Sequence, residues 1–209
     1  FEGGDGSGKS TQEARLAARL LQEGHVVRQT REPGGTDAAE AIREVVLSPS
    51  FTGLDDRAEA LLYAASRADH TARVIVPALE RGEVVICDRY IDSSIAYQGV
   101  ARDLGIDQVR DVNLWATRGL VPDLTVVLDL DPRVGLTRVG KPDRLEAEPL
   151  AFHERVRAAY RELAGQEPGR YLVVDAQASI DEVQARIAER VLSDLGRADQ
   201  GRTDQGRAR

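Results

Sequence analysis

Cysteine and lysine are both scarce in this chain of 209 residues: one cysteine, and two lysines among 28 basic residues. The single thiol, Cys87, excludes an internal disulfide and suits a reducing compartment such as the cytoplasm. It sits in the apolar run Val84-Val85-Ile86-Cys87, where a free cysteine serves as core filler rather than as a nucleophile. No apolar run approaches a membrane span, and no signal-peptide pattern is present, so no membrane is an expected partner. The formal net charge of −7 argues against a broad surface for nucleic acid, while leaving room for a local basic pocket. The three histidines lack metal-ligand spacing. The first residue is not methionine; Phe1-Glu2 reads as the end of a strand, so a few residues are expected before it, with room for a short targeting segment.

What is present begins at Gly3. Gly3-Gly4-Asp5-Gly6-Ser7-Gly8-Lys9-Ser10 fits G-x-x-x-x-G-K-[ST], a phosphate-binding loop, without mismatch, and Thr11 continues it. Glycines permit the tight turn and the close approach of backbone to an anion. Successive N–H groups and the N-terminus of the following helix then surround the phosphates. Lys9 adds a compact positive charge, and the Ser10 hydroxyl offers a ligand to Mg²⁺. A chain that otherwise chooses arginine keeps lysine where this loop needs a point charge instead of a planar fork. The expected ligand is a nucleoside triphosphate.

Periodicity predicts helices over Thr11–Glu23 and Ala38–Leu47, the second capped by Thr36 or Asp37, and a long helical pattern over Asp55–Arg81 that Pro77 bends or divides. Further helices are expected near Ser93–Ala101, Asp107–Arg118, Pro132–Arg138, Ala151–Ala164 and Ile180–Leu195. Short apolar strands are expected at His25–Thr30, Glu83–Cys87, Leu124–Leu130 and Tyr171–Val174. Strands alternating with helices indicate an α/β fold with a parallel sheet covered on both faces. Ligands of such folds bind at the carboxyl ends of the strands, where the loop, Arg31-Glu32, Asp88-Arg89 and Asp175 all fall. Residues 1–195 read as one domain; residues 196–209, where Asp-Gln-Gly-Arg occurs twice, read as a disordered tail with nothing to bury.

The loop alone permits a switch GTPase, a motor ATPase, a binding module or a small-molecule kinase. The guanine motif N-K-x-D is missing; Gly140-Lys141-Pro142-Asp143 lacks its asparagine. Arg31, Arg43, Arg67 and Arg89 lie in or near loops at the strand ends, and a kinase acting on a monophosphate needs cationic forks around two neighbouring anions. Arg89 directly follows Asp88 at the end of a buried strand; the aspartate can orient Mg²⁺ through water and the arginine can reach an acceptor phosphate. Arg43 taken alone also reads as a solvated helix residue.

Five blocks carry a resemblance: residues 1–12, Arg31-Glu32-Pro33-Gly34-Gly35-Thr36, residues 59–67, Asp88-Arg89-Tyr90 with its continuation to Gly99, and Asp143-Arg144-Leu145-Glu146. In order and spacing they resemble bacterial thymidylate kinase over roughly Phe1 to Ala176. The resemblance implies a three-layer P-loop NTPase fold with a five-stranded parallel sheet and a short lid near 138–148. It also implies a cytoplasmic homodimer that converts dTMP and ATP to dTDP and ADP with Mg²⁺. By the same resemblance Arg43 and Arg89 grip the dTMP phosphate, Tyr63 stacks on thymine, and Arg67 donates to its O4. Ser94 and Gln98 line the base pocket, Tyr97 crowds the sugar 2′ position, and Asp5 and Glu32 approach the 3′-OH and the magnesium-water shell. Ser10 and Asp88 are the metal-side residues. Tyr63 and Tyr97 also have plain readings as core and helix packing. Another nucleoside monophosphate or deoxynucleoside kinase of the same fold is the alternative.

Two positions depart from the family pattern. Tyr63 stands where phenylalanine is more usual, adding a hydroxyl that needs a partner. Gly6 stands where one branch of the family carries arginine; in the other branch a mobile lid supplies that cation. Arg138, Lys141 and Arg144 are the lid candidates, with Arg144 preferred and grouped with Lys9, Asp5 and Arg89 as catalytic.

Overall fold

The computed structural model describes the backbone of residues 1–140 and 142–207, with side chains described as far as 197. Helix α1 (Lys9–Gln22) begins two residues earlier than periodicity predicts, directly at Gly8, whose φ of 92° is open to glycine without strain. Lys9 and Ser10 therefore sit in its first turn, where backbone N–H groups lack intrahelical partners. Strand β1 (Val27–Arg31) pairs in parallel with β2 (Val84–Asp88), and β3 (Thr125–Asp129) with β4 (Tyr171–Asp175). β1 is a half-exposed strand carrying Arg28, Gln29 and Arg31, and so departs from the expected apolar, doubly covered pattern.

Phe1 and Glu2 join the two pairs. The Phe1 nitrogen donates to Cys87 O (2.7 Å) and Arg89 N donates to Phe1 O (2.9 Å). On the other side Glu2 N donates to Val126 O (2.8 Å) and Leu128 N to Glu2 O (2.9 Å). The described architecture is thus four strands in two parallel pairs with a two-residue bridge between them; the expected count of five strands is not reached.

Alternation along β3 separates two cores. Val126 and Leu128 pack with Leu16, Leu20, Val174 and Ile187, under α1 and α9 (Ile180–Arg207). Val127 faces the other way, toward Tyr97, Phe152, Val156 and Tyr160. Helices on both faces make an α/β/α sandwich.

Between β1 and β2 run α2 (Asp37–Leu47), α3 (Asp56–His70) and α4 (Val76–Glu80). The Thr36 hydroxyl, not Asp37, caps α2 by accepting from Ala39 N (3.1 Å). A π-helical turn over Thr71–Ile75 separates α3 from α4, the division expected at Pro77, which has no N–H to continue the ladder. After β2 come α5 (Ile91–Ser94), a second π-helical stretch (Ile95–Ala101) and α6 (Ile106–Ala116); after β3 come α7 (Pro132–Arg138) and α8 (Leu150–Gln166). The backbone of α9 stays helical through residues 196–207, where a structureless tail is expected. Leu195 is the last described apolar side chain on that helix to reach the core.

The phosphate loop rests on α7. Gly6 has φ 71°, and a Cβ there or at Gly135 would overlap backbone of the other segment, the Gly135 and Asp5 carbonyl oxygens respectively. Gly135→Ala should therefore lower stability by about 1–3 kcal/mol through overpacking. Thermal denaturation reads this as a lower midpoint; an unchanged midpoint would mean the loop yields freely.

Candidate active site

The strand registers set Arg31 level with Asp88 and Asp129 level with Asp175, so the carboxyl ends form one edge. Beside the phosphate loop this edge opens a cleft of about 200 Å³. Its lining includes Asp5, Lys9, Glu32, Arg43, Tyr63, Asp88, Arg89, Ser94, Tyr97 and Gln98, ten of the residues singled out from sequence. A larger cavity of about 450 Å³ lies at the opposite strand ends, among Val84, Val85, Leu124 and Val126, with no arginine, lysine or histidine among its described lining residues.

Asp5 and Arg89 form the centre of the cleft. Arg89 Nη2 lies 2.6 Å from Asp5 Oδ1, and its Nη1 donates to Gly3 O (3.2 Å). The guanidinium stands over the Tyr97 ring at 5.2 Å, and the Tyr97 hydroxyl donates to Asp5 Oδ2 (3.4 Å). Burial works to raise the Asp5 carboxyl, yet Arg89 and then Lys9 hold it below the ordinary aspartate value. Lys9 is buried beneath the loop, where Nζ donates to Gly3 O and Gly4 O (3.3 and 3.4 Å); burial first, then Arg89, lowers its pKa. Arg89 has φ 67°, a left-handed backbone uncommon for a side chain of this size.

A buried carboxylate that sequence reasoning passed over holds the far side of this turn. Glu2 Oε1 accepts from Tyr90 N (2.8 Å) and Ser93 N (3.2 Å). Its Oε2 accepts from the Ser93 and Tyr160 hydroxyls (2.6 and 2.8 Å). Burial, then Asp92, raises its pKa. A glutamate in the apolar approach to the loop was the available signal, since such a charge needs several donors.

The residues expected on the acceptor side fall on two networks. Gln98 Nε2 donates to Glu59 Oε1 (2.8 Å), and Arg43 Nη1 to Pro33 O (2.9 Å). Tyr63 lines the cleft, and burial raises its phenol pKa. Arg67 does not line the cleft; it is buried behind it, donating to Glu32 Oε2 (2.7 Å), Ser94 Oγ (2.9 Å), Asn113 and Tyr90 O (2.8 Å).

The lid residues separate. Arg138 Nη1 donates to Gly6 O (3.0 Å), on the phosphate loop itself. Arg144, the preferred lid cation, is instead buried against α2 and α3: Nε donates to Val46 O (2.8 Å), and Nη2 lies 2.7 Å from Glu59 Oε2. It is drawn there because Glu59 is fully buried and needs cations, a demand that Arg102 also answers. Lys141 lies outside the described residues.

For a divalent cation the test is donor supply. Asp88 Oδ1 is buried at the end of β2 without a hydrogen-bond partner, and Ser10 is exposed in the first turn of α1. A hard carboxylate oxygen left unsatisfied beside a phosphate loop fits Mg²⁺. Glu13, one turn along α1 from Lys9, has an unpartnered buried Oε1 as well.

The profile of the thymidylate kinase family matches residues 1–187. A thymidylate kinase of Leifsonia xyli subsp. xyli is 56% identical over 195 residues, covering 91% of this chain and 92% of that protein. One of Deinococcus radiodurans is 53% identical over 190 residues, covering 90% and 92%. The crystal structure of thymidylate kinase from Ehrlichia chaffeensis superposes with a TM-score of 0.74 at 33% identity, covering 92% of this chain and 96% of that one.

Burial, with Asp88 next in effect, pushes Glu13 from 4.5 up to about 7. A raised carboxyl pKa means that stability is highest below the unfolded value and falls as pH rises through 7. Glu13→Gln should raise stability at pH 8 by roughly 1–2 kcal/mol after allowing for partial exposure, read as a higher melting midpoint, and do little at pH 5. Equal effects at both pH values would remove Glu13 from the titration.

Proposed function

The chain belongs to the thymidylate kinase family and is an ATP-dependent phosphotransferase; we propose that its cleft brings the γ-phosphate of ATP against dTMP for direct transfer, giving ADP and dTDP. The observation that carries this reading is the convergence of Lys9, Arg43 and Arg89 on one cleft beside the phosphate loop, with Tyr63, Ser94, Tyr97 and Gln98 on its other wall.

In this reading residues Gly3 to Thr11 hold the ATP phosphates, and the loop N–H groups with Lys9 stabilise charge spreading over the transferred group. Arg43 and Arg89 hold the dTMP phosphate in line. Its attacking oxygen is already ionised at neutral pH, so no general base and no covalent enzyme intermediate are needed. Asp88 and Ser10 would hold Mg²⁺, which would neutralise phosphate charge there when bound. Tyr63 stacks on thymine, and Asp5 with Glu32 faces the sugar 3′-OH. Tyr97, fixed by Phe152 edge-on at 5.9 Å and by Asp5, stands at the 2′ position and disfavours ribose. We assign thymine O4 to the Arg67–Ser94 pair; cytosine presents a donor there and leaves these donors unpaired.

The 3.0 Å contact with Gly6 O favours Arg138 over Arg144 as the cation that the lid, near 138–148, brings to the transferring phosphate. We also propose residues 1–195 as the kinase domain, with Phe1-Glu2 as the end of a central fifth strand. A homodimer is supported by a groove of about 310 Å³ between α3 and α6, lined by Leu61, Leu104, Val109 and Val112. The cytoplasm is the compartment consistent with the lone thiol; no described helix is long and apolar enough to cross a membrane.

A coupled assay with ATP–Mg²⁺ against dTMP, dUMP, UMP, CMP, AMP and GMP tests the reading: dTMP should lead, and comparable rates for CMP or AMP would favour the sister kinases of this fold. Lys9→Ala should cost roughly 10²-fold or more in kcat without unfolding the protein. A near-normal rate would take Lys9 out of the mechanism.

The two lid arginines should part company. Arg138→Ala should lower kcat by a similar order with little change in melting midpoint. Arg144→Ala should cost about 3 kcal/mol of stability, because it leaves buried Glu59 short of a cation, with a smaller effect on kcat. The reverse pattern would restore Arg144 as the transferring cation.

A further inference from the structure

His70 carries none of the roles assigned above, yet it is among the most completely buried side chains in the protein, at 0% exposure. It follows Arg67 by three residues on α3, so both project from the same face of that helix. Its ring bridges two segments of the chain. Nδ1 lies 2.8 Å from Glu32 Oε1, and Nε2 lies 2.6 Å from the Thr30 hydroxyl. The carboxylate accepts, so Nδ1 donates to it, and Nε2 shares the second hydrogen bond with the Thr30 hydroxyl.

Glu32 is thereby held at both oxygens, by His70 on Oε1 and by Arg67 Nε on Oε2 at 2.7 Å. Without the imidazole the carboxylate could turn about its last torsion, and the Arg67 guanidinium would lose the acceptor that fixes its Nε edge. The opposite edge of that guanidinium meets Ser94, on the cleft wall. Thr30, His70, Glu32, Arg67 and Ser94 form one continuous hydrogen-bonded line from the end of β1 to the base side of the cleft.

The imidazole also has a shaped seat. Gly35 has φ 89°, and a Cβ there would lie 2.5 Å from His70 Cδ2. The second glycine of Arg31-Glu32-Pro33-Gly34-Gly35-Thr36 is thus required by the ring as well as by the turn. Glu32, His70 and Cys87 are close enough together for a metal, but His70 and Glu32 are already satisfied and the Arg67 charge abuts Glu32, so the trio is not a metal site.

We propose that His70 is a positioning residue for base selection: it touches no substrate, and acts by locking Glu32 so that Arg67 presents a fixed guanidinium behind Ser94. This rests on the assignment of thymine O4 to the Arg67–Ser94 pair. His70→Phe keeps a planar ring, slightly larger than imidazole, and loses both hydrogen bonds; His70→Asn restores a donor near the place of Nδ1. The experiment measures kcat and KM for dTMP and for dCMP. His70→Phe should raise KM for dTMP roughly 10-fold and reduce the preference for dTMP over dCMP by a similar factor, with kcat changed by less than about 2-fold. His70→Asn should recover most of that loss, which a purely structural role would not predict.

Thr30→Val removes one hydroxyl at nearly constant shape and should move the same two quantities in the same direction, by less; it decides the matter if His70→Phe fails to fold. An unchanged KM and preference in a folded His70→Phe, or in Thr30→Val where that variant must decide, overturns the proposal. Arg67→Ala separates the two levels. If it loses the base preference while His70→Phe keeps it, only the positioning role fails; if both keep it, the reading of Arg67 fails and takes this proposal with it.

Discussion

The ion pair between Arg89 and Asp5, 2.6 Å long and spanning 84 residues of sequence, is the contact on which the site depends. Asp5 belongs to the phosphate loop, and Arg89 to the turn that leaves β2. Neither segment alone shapes the cleft. Joined, they set the phosphate loop against the end of β2, with the Tyr97 ring beneath the guanidinium. The pair is partly buried, and its charges are further confined by Gly3 O and by the Glu2 cluster behind the turn. Partial burial matters: a fully exposed pair would be screened and floppy, while a fully buried one would be closed off from the cleft.

How much of this was legible in the sequence follows from whether a signal is local. The phosphate loop was legible because eight consecutive residues carry it, and Asp88-Arg89 because the pair ends a short apolar strand. Helix α7 was read at its observed bounds, Pro132–Arg138, from proline at its start and the run that follows. The length of α9 was not legible, because Arg, Asp and Gln tolerate helix while offering no apolar face to extend the pattern. Glu2, Glu59 and His70 stayed hidden for a different reason. Each is a polar residue whose side-chain partners lie 38 to 158 positions away, and no spacing rule connects it to them. The same holds for Arg144: its motif is local, but the acceptor that captures it, Glu59, is on α3.

Arginine dominates this chain, and the structure uses its planar fork to tie segments together. Arg67 links α3 to the Glu32 loop, to Ser94, and to Asn113 of α6; Arg102 links Asp56 and Glu59 of α3 to Glu148. A guanidinium stays charged when buried and can serve several acceptors at once, which an ammonium does less well. Lys9 is the exception that the geometry demands. It sits beneath a loop whose two glycine carbonyls converge, where a fork would not fit and a point charge does.

The identity of residue 6 bears on where the last cation must come from. At φ 71°, and with Gly135 backbone inside the reach of any Cβ, position 6 is sterically closed to a side chain. An arginine carried on the loop at that position would have to push α7 away from the phosphate loop, and α7 is held to the body through its contact with α8 and the Arg133–Glu154 pair (2.5 Å). In the proposed reading, any cation beyond Lys9 for the transferring phosphate therefore comes from outside the loop. Arg138 ends α7, the very helix whose glycine closes position 6, and already reaches Gly6 O. The tight Gly6–Gly135 approach and the placement of Arg138 are thus one arrangement: closing the loop to arginine brings the end of α7, and the guanidinium it carries, to the loop's rim.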